Sequence, residues 1–198
     1  INKSRAMWLS RFVLGFVLGF VLGFALAAEI TLYDAGLYHI QNIKWIQDYA
    51  LVPGLGNIHG RFAFNSHFFL TSALFAFEWT KNGESILIYP LNAVVFFVTM
   101  QHLLSLAFQY LKTKHYGRGL YYLVVCSVAF VLFTFWINSP SPDIISACML
   151  VFVFTYALEH TKANKAFNLL FVGALIGITL TIKLSSLFLI LLLLPMAY

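Results

Sequence analysis

The stretch FNSHFFLTSALFAF (residues 64–77) decides how this chain is threaded. It is apolar enough to enter a bilayer, but it is only fourteen residues long and carries His67. A spanning helix needs about 20 apolar residues. At the shorter length an interfacial or re-entrant helix is expected. The basic residues test that choice, because loops on the cytoplasmic side carry an excess of Lys and Arg. If 64–77 does not cross, Lys3, Arg5, Arg11, Lys112, Lys114, Arg118, Lys162 and Lys165 lie inside, and only Lys44, Arg61, Lys81 and Lys183 lie outside. If it crosses, every later loop flips, and five basic residues lie inside against seven outside. The first threading is therefore expected, with residues 29–84 as one long external loop carrying juxtamembrane helices.

The rest of the chain agrees with a lipid solvent. Its 198 residues are 61% hydrophobic and 10% charged, with 21 Phe, whereas soluble domains run at about 45–50% apolar and about 25% charged. Apolar runs at 7–28, 86–111, 120–137, 144–158, 167–182 and 184–198 predict an all-α, polytopic integral membrane protein. It would have about six transmembrane helices, forming a single transmembrane domain over 1–198. The sequence begins at Ile1 and stops within LFLILLLLPMAY, as expected of the N-terminal part of a longer protein. VLGF recurs at Val13, Val17 and Val21, which puts Gly15, Gly19 and Gly23 on one helical face. That small-residue stripe suits close helix packing within the same chain.

Several function classes are excluded. The net charge of +5 comes from short basic clusters between apolar runs, a pattern that sets membrane orientation rather than nucleic-acid binding. Cys126 and Cys148 lie in apolar runs, with neither metal-ligand spacing nor a disulfide framework, and read as small buried hydrophobes. No histidine pair has the spacing of a zinc site. His102, His115 and His160 fall toward the cytoplasmic ends of their helices. P-loop, G-x-G-x-x-G and G-x-S-x-G motifs are absent.

The external loop concentrates the polar chemistry. Residues 35–49 predict a helix lying flat on the membrane, with Gln41, Lys44 and Asp48 on one narrow stripe and Tyr38, Trp45 and Tyr49 on another. VPGLGNIHGR (52–61) follows, with a proline and three glycines that mark an irregular loop. In the expected threading NSPSPD (138–143) and the turn at 181–186 emerge on the same side. Asp34, Arg61, Asp143 and Lys183 then share one interface. Asp34 is placed to cap the 35–49 helix, and a carboxylate held there also meets a polar substrate arriving from the lipid. Asp143 opens a helix after Ser-Pro-Ser-Pro, which again suits a cap. It is also an isolated charge at the rim of apolar helices, a functional candidate on that ground. Lys183 either snorkels to the interface or attracts a lipid phosphate, and the Arg61 guanidinium suits phosphate oxygens. Tyr38, His39 and His59 complete the set of candidate binding residues.

One spanning segment, an acid just outside it, a flat helix in the outer loop and then further spans resemble the N-terminal module of membrane glycosyltransferases of the GT-C fold. These include the protein O-mannosyltransferases and the lipid A aminoarabinose transferases. The resemblance is carried by DAGLYHIQNIKW, VPGLGNIHGRFAFNS, SPSPD and IKLSS, and the closest wording is that of bacterial multi-pass glycosyltransferase-like proteins. In the GT-C pattern the first external loop holds the key acid, often in an aspartate–glutamate pair; here Asp34 supplies the first and Ala35 replaces the second. Tyr38 matches the D-x-x-x-Y spacing. The resemblance implies transfer of a sugar from a polyprenyl-phosphate carrier to a glycan, lipid or protein acceptor on the extracytoplasmic face of a bacterial inner membrane. It gives Asp34 the role of general base, Arg61 and Lys183 that of phosphate ligands, and Asp143 that of orienting the acceptor. A divalent cation, Mg or Mn, held by Asp34 and Asp143 is a further implication. The alternative is a multi-pass transporter or a flippase of glycan-precursor lipids, which would place ionisable groups near mid-membrane. A non-catalytic scaffold would rest on the glycine stripe instead.

Overall fold

The computed structural model describes residues 13–14, 17–18, 21, 32–49, 52–63, 66–81, 84–137, 139–160 and 165–197. The expected first span at 7–28 lies outside the described residues except for Val13, Leu14, Val17, Leu18 and Val21, which are helical and exposed. The glycine stripe lies outside them altogether.

After Leu32 a π-helical turn, Ala35–His39, runs directly into α1, Ile40–Asp48. Gln41, Lys44 and Asp48 are exposed there as the stripe requires, and the Trp45 and Tyr49 rings lie 5.0 Å apart. The glycine-rich loop holds a single turn of helix, α2, Leu55–Ile58, and a 3-10 turn, Gly60–Ala63. Gly54 enters it at φ 84°, in the left-handed region that side chains avoid. The stretch that decides the threading folds as α3, His67–Phe75. Nine residues reach only about 13–14 Å, less than half a bilayer core. Gln47 Nε2 donates to the Ala73 and Ala76 carbonyls at 2.9 and 3.2 Å, fastening α1 to the end of α3.

The described chain is predominantly helical, as expected, with one β-hairpin as a local exception. Strands β1, Phe77–Lys81, and β2, Glu84–Ile88, pair antiparallel from Phe77↔Ile88 to Lys81↔Glu84. Asn82-Gly83 between two apolar runs is a strong hairpin signal. The hairpin also moves the start of the next helix. The span expected at 86–111 begins only after Pro90, as α4, Leu91–Lys112.

Helices α4, α5 (Tyr116–Phe133) and α6 (Pro142–Glu159) are each long and apolar enough to cross a bilayer. Their 18–22 residues correspond to about 27–33 Å of rise. A tight turn joins α4 to α5, and Gly119 allows the close approach. A Cβ there would sit 2.8 Å from two carbons of the Leu111 side chain and 3.3 Å from its backbone nitrogen. Beyond α5 the chain tightens into a 3-10 turn, Thr134–Trp136. Helix α7, Lys165–Ile182, is apolar over Ala166–Ile182. The last run is a nine-residue 3-10 helix, Leu184–Leu192, followed by α8, Leu193–Ala197, rather than one α-helix.

Three apolar clusters hold these parts together. Phe96, Met100, Leu103, Tyr122, Cys126 and Cys148 join α4, α5 and α6. Val153, Val172, Ile176, Leu189 and Met196 join α6 to α7 and the terminal segment. The third cluster, with Tyr38, Ile43, Phe68, Phe69, Tyr89, Ile145 and Ile182, clamps the loop helices onto the start of α6 and the end of α7. That clamp positions the polar groups described next.

Candidate functional site

The polar groups gather where α6 begins and α7 ends. Ser141 caps α6 by accepting from the Asp143 amide at 3.3 Å, with Pro142 at the first helical position. The cap is thus Ser141, not Asp143, and the Asp143 carboxylate is free to accept from Lys183 Nζ. Lys183 sits in extended backbone (φ −148°, ψ 115°) at the break between α7 and the 3-10 helix. Asn92 fixes the Ser-Pro-Ser-Pro loop from α4, donating to the Ser139 and Ser141 carbonyls at 2.6 and 2.9 Å. Ser66 ties α3 to the same place. Its hydroxyl donates to the Ile182 carbonyl at 2.7 Å and accepts from the Phe68 amide at 3.3 Å.

Asp34 does not cap its helix either. Its own φ and ψ, −63° and −27°, are helical, and its carboxylate makes no capping bond. It accepts instead from Arg61 Nη1 at 3.2 Å. The Arg61 guanidinium lies 4.9 Å from the centre of the Tyr38 ring, and its backbone amide donates to His59 Nδ1 at 3.3 Å. The His59 ring stacks on Tyr38 at 6.2 Å. Both ion pairs are half-exposed, with side chains 43–64% accessible.

His39 is close enough to both pairs that the fields of Asp34, Asp143 and Arg61 all reach it. It is 2% exposed, edge-on to Tyr38 at 4.2 Å and 5.4 Å from the Phe69 ring. Neither ring nitrogen has a hydrogen-bond partner among the described residues. Burial pushes its pKa down to about 4, against the upward pull of Asp34 and Asp143. The imidazole is neutral at physiological pH.

That shift carries a stability prediction. The unfolded histidine titrates near 6.5 and the folded one near 4, so between those values the unfolded chain binds more protons. Stability therefore falls as pH drops through this window and levels off below it. Between pH 7 and pH 5 the loss is about 2 kcal/mol. Thermal unfolding in detergent should show it in the wild type and not in His39→Gln; matching pH profiles would refute it.

The metal expectation does not fit. Asp34 and Asp143 each hold a cationic partner, and no group of three or more His, Cys, Asp or Glu among the described residues could hold a metal ion. The remaining histidines lie elsewhere. His102 is buried midway along α4, with Nε2 3.1 Å from the Thr155 hydroxyl. His160 closes α6, its ring stacked 4.1 Å from that of Tyr156.

At the opposite end of the bundle the Glu159 carboxylate accepts from the Tyr110 and Tyr122 hydroxyls, the latter at 2.5 Å. Arg118 donates to the Tyr110 hydroxyl at 3.2 Å. This end is a closed, mutually satisfied network, unlike the His39 end. A family model described as a domain of unknown function (DUF8201) matches residues 2–198. The chain belongs to the DUF8201 family. No curated protein and no solved structure matches it. Within this DUF8201 chain the residues that sequence reasoning passed over are Asn92, Ser66 and Ser141. Each is a small polar side chain at the edge of an apolar run, and that position was their available signal.

Proposed function

We propose that this DUF8201 chain is a membrane glycosyltransferase module that moves a sugar from a polyprenyl-phosphate carrier to an acceptor outside the cytoplasm. In this reading the chain crosses a bacterial inner membrane six times, residues 7–28 included, with its N-terminus inside. The observation that carries the reading is the pair of half-exposed ion pairs, Asp34–Arg61 and Asp143–Lys183, at one end of the apolar bundle. Exposed pairs contribute only about 0–1 kcal/mol to stability. Such pairs exchange partners readily when an anionic phosphate ligand arrives.

The chemistry follows from that exchange. The donor phosphate takes the Arg61 fork and the Lys183 ammonium, which releases both carboxylates. The acceptor hydroxyl oxygen then bonds to the sugar's anomeric carbon. The bond from that carbon to the phosphate oxygen breaks, and the hydroxyl proton passes to Asp34. The leaving polyprenyl phosphate keeps the bonding electrons, and the two cations stabilise its charge. Asp143 orients the acceptor. The transporter reading would have to rest on His102, a mid-helix histidine among the described residues, and its Thr155 partner accounts for one of its two nitrogens.

Native mass spectrometry of the protein from gentle detergent, incubated with polyprenyl phosphate, tests the reading. One lipid per chain should be retained. Arg61→Ala and Lys183→Ala should each weaken retention about tenfold or more, because each removes charge-assisted hydrogen bonds. No retention by the wild type would overturn it.

A further inference from the structure

The two cations explain how a phosphate is held, but they leave His39 without a task. It is almost fully buried, yet neither of its nitrogens has a partner among the described residues. Buried polar groups are nearly always satisfied, so one that is not points to a missing partner. The Tyr89 hydroxyl, in the same apolar cluster as Tyr38 and Phe69, is also buried without a partner among the described residues. Burial pushes this phenol up to about 12 and the imidazole down to about 4, so both stay neutral. A neutral imidazole offers one N–H donor and one lone-pair acceptor. That is the complement of a hydroxyl group, which also donates once and accepts. A phosphate offers acceptors only, and it would feel the negative charges of Asp34 and Asp143, whose fields reach this ring.

We propose that His39 is an uncharged subsite that grips a hydroxyl of the sugar carried by the lipid phosphate, so that the site distinguishes a sugar-bearing lipid from the bare carrier. This rests on the reading of Arg61 and Lys183 as phosphate ligands. His39 is a specificity residue here, separate from the proton transfer assigned to Asp34. The rings of Tyr38 and Phe69 hold the imidazole in place and limit the water that would compete for its two nitrogens. Interactions of this kind discriminate strongly, because a ligand lacking the hydroxyl leaves buried polar atoms unpaired.

The test compares methyl polyprenyl phosphate, a sugar-free diester of the same single charge, with polyprenyl-phosphate hexose, both as probes for full-length protein in nanodiscs. The wild type should bind the hexose-bearing lipid about tenfold more tightly, as expected for one well-formed hydrogen-bonded contact. His39→Phe should remove that preference while leaving affinity for the sugar-free lipid unchanged. His39→Gln, which keeps a donor and an acceptor, should retain part of it. Equal binding of the two lipids by the wild type would overturn the His39 inference alone. So would an undiminished preference in His39→Phe, or an equal loss for both lipids. If the wild type bound neither lipid, the phosphate reading itself would fall, and that outcome is distinct from the others. Should His39→Phe fail to fold, the wild-type comparison and His39→Gln still decide.

Discussion

Asp34→Asn is expected to reduce sugar transfer about 10²–10⁴-fold, the usual contribution of a positioned general base. The change keeps the size of the side chain and removes only its charge and its capacity to take a proton. Its ion pair with Arg61 is half-exposed, so folding should be nearly unaffected. Binding of the bare carrier should persist or rise slightly, because Arg61 loses a competitor for the phosphate. Single-turnover transfer from a polyprenyl-phosphate sugar, run beside the binding assay, separates these effects. Full transfer by the variant would remove Asp34 from the chemistry, and a parallel loss of lipid binding would make it a structural residue instead.

Asn92→Ala should have the largest effect on stability. The side chain is 2% exposed and donates to two carbonyls of the loop that launches α6. Truncation leaves a gap beneath Ser139 and Ser141 and deprives both carbonyls of a donor, costing about 2 kcal/mol. The loop sets the register of Ser141 and hence of Asp143, so lipid binding should weaken as well. A thermal midpoint unchanged in detergent would refute the assignment. Asn92→Asp provides a control: its shape is the same, but it lacks the amide donors.

The helical, apolar character of the chain was legible because apolar composition over long runs leaves few alternatives. The short stretch at 64–77 was legible as a non-spanning helix for a reason of length alone, and α3 has that length. The hairpin was not, although Asn82-Gly83 advertises it. The apolar run through β2 merges with that of α4 in sequence, and only Pro90 separates them. At the site, the sequence identified the charged groups but not their mutual pairing. Partners 27 and 40 residues apart are chosen by the packing of α1, α3, α6 and α7, which no local pattern encodes. Both aspartates sat at helix starts, and a local rule assigned them to capping. Ser141 took that work at α6, while at Asp34 the backbone was already helical. The buried state of His39 was equally hidden, because it depends on Phe69 from a different helix.

The nine-residue 3-10 segment after Lys183 alters the arithmetic of reach. Overwound coil climbs about 2.0 Å per residue instead of about 1.5 Å. Leu184–Leu192 therefore extends about 18 Å where an α-helix would extend about 13–14 Å. Relaxation to ordinary winding would draw the far end about 4–5 Å toward Lys183 and turn it relative to α7. The segment starts directly after Lys183, the residue paired with Asp143, so a change of pitch would act next to that ion pair.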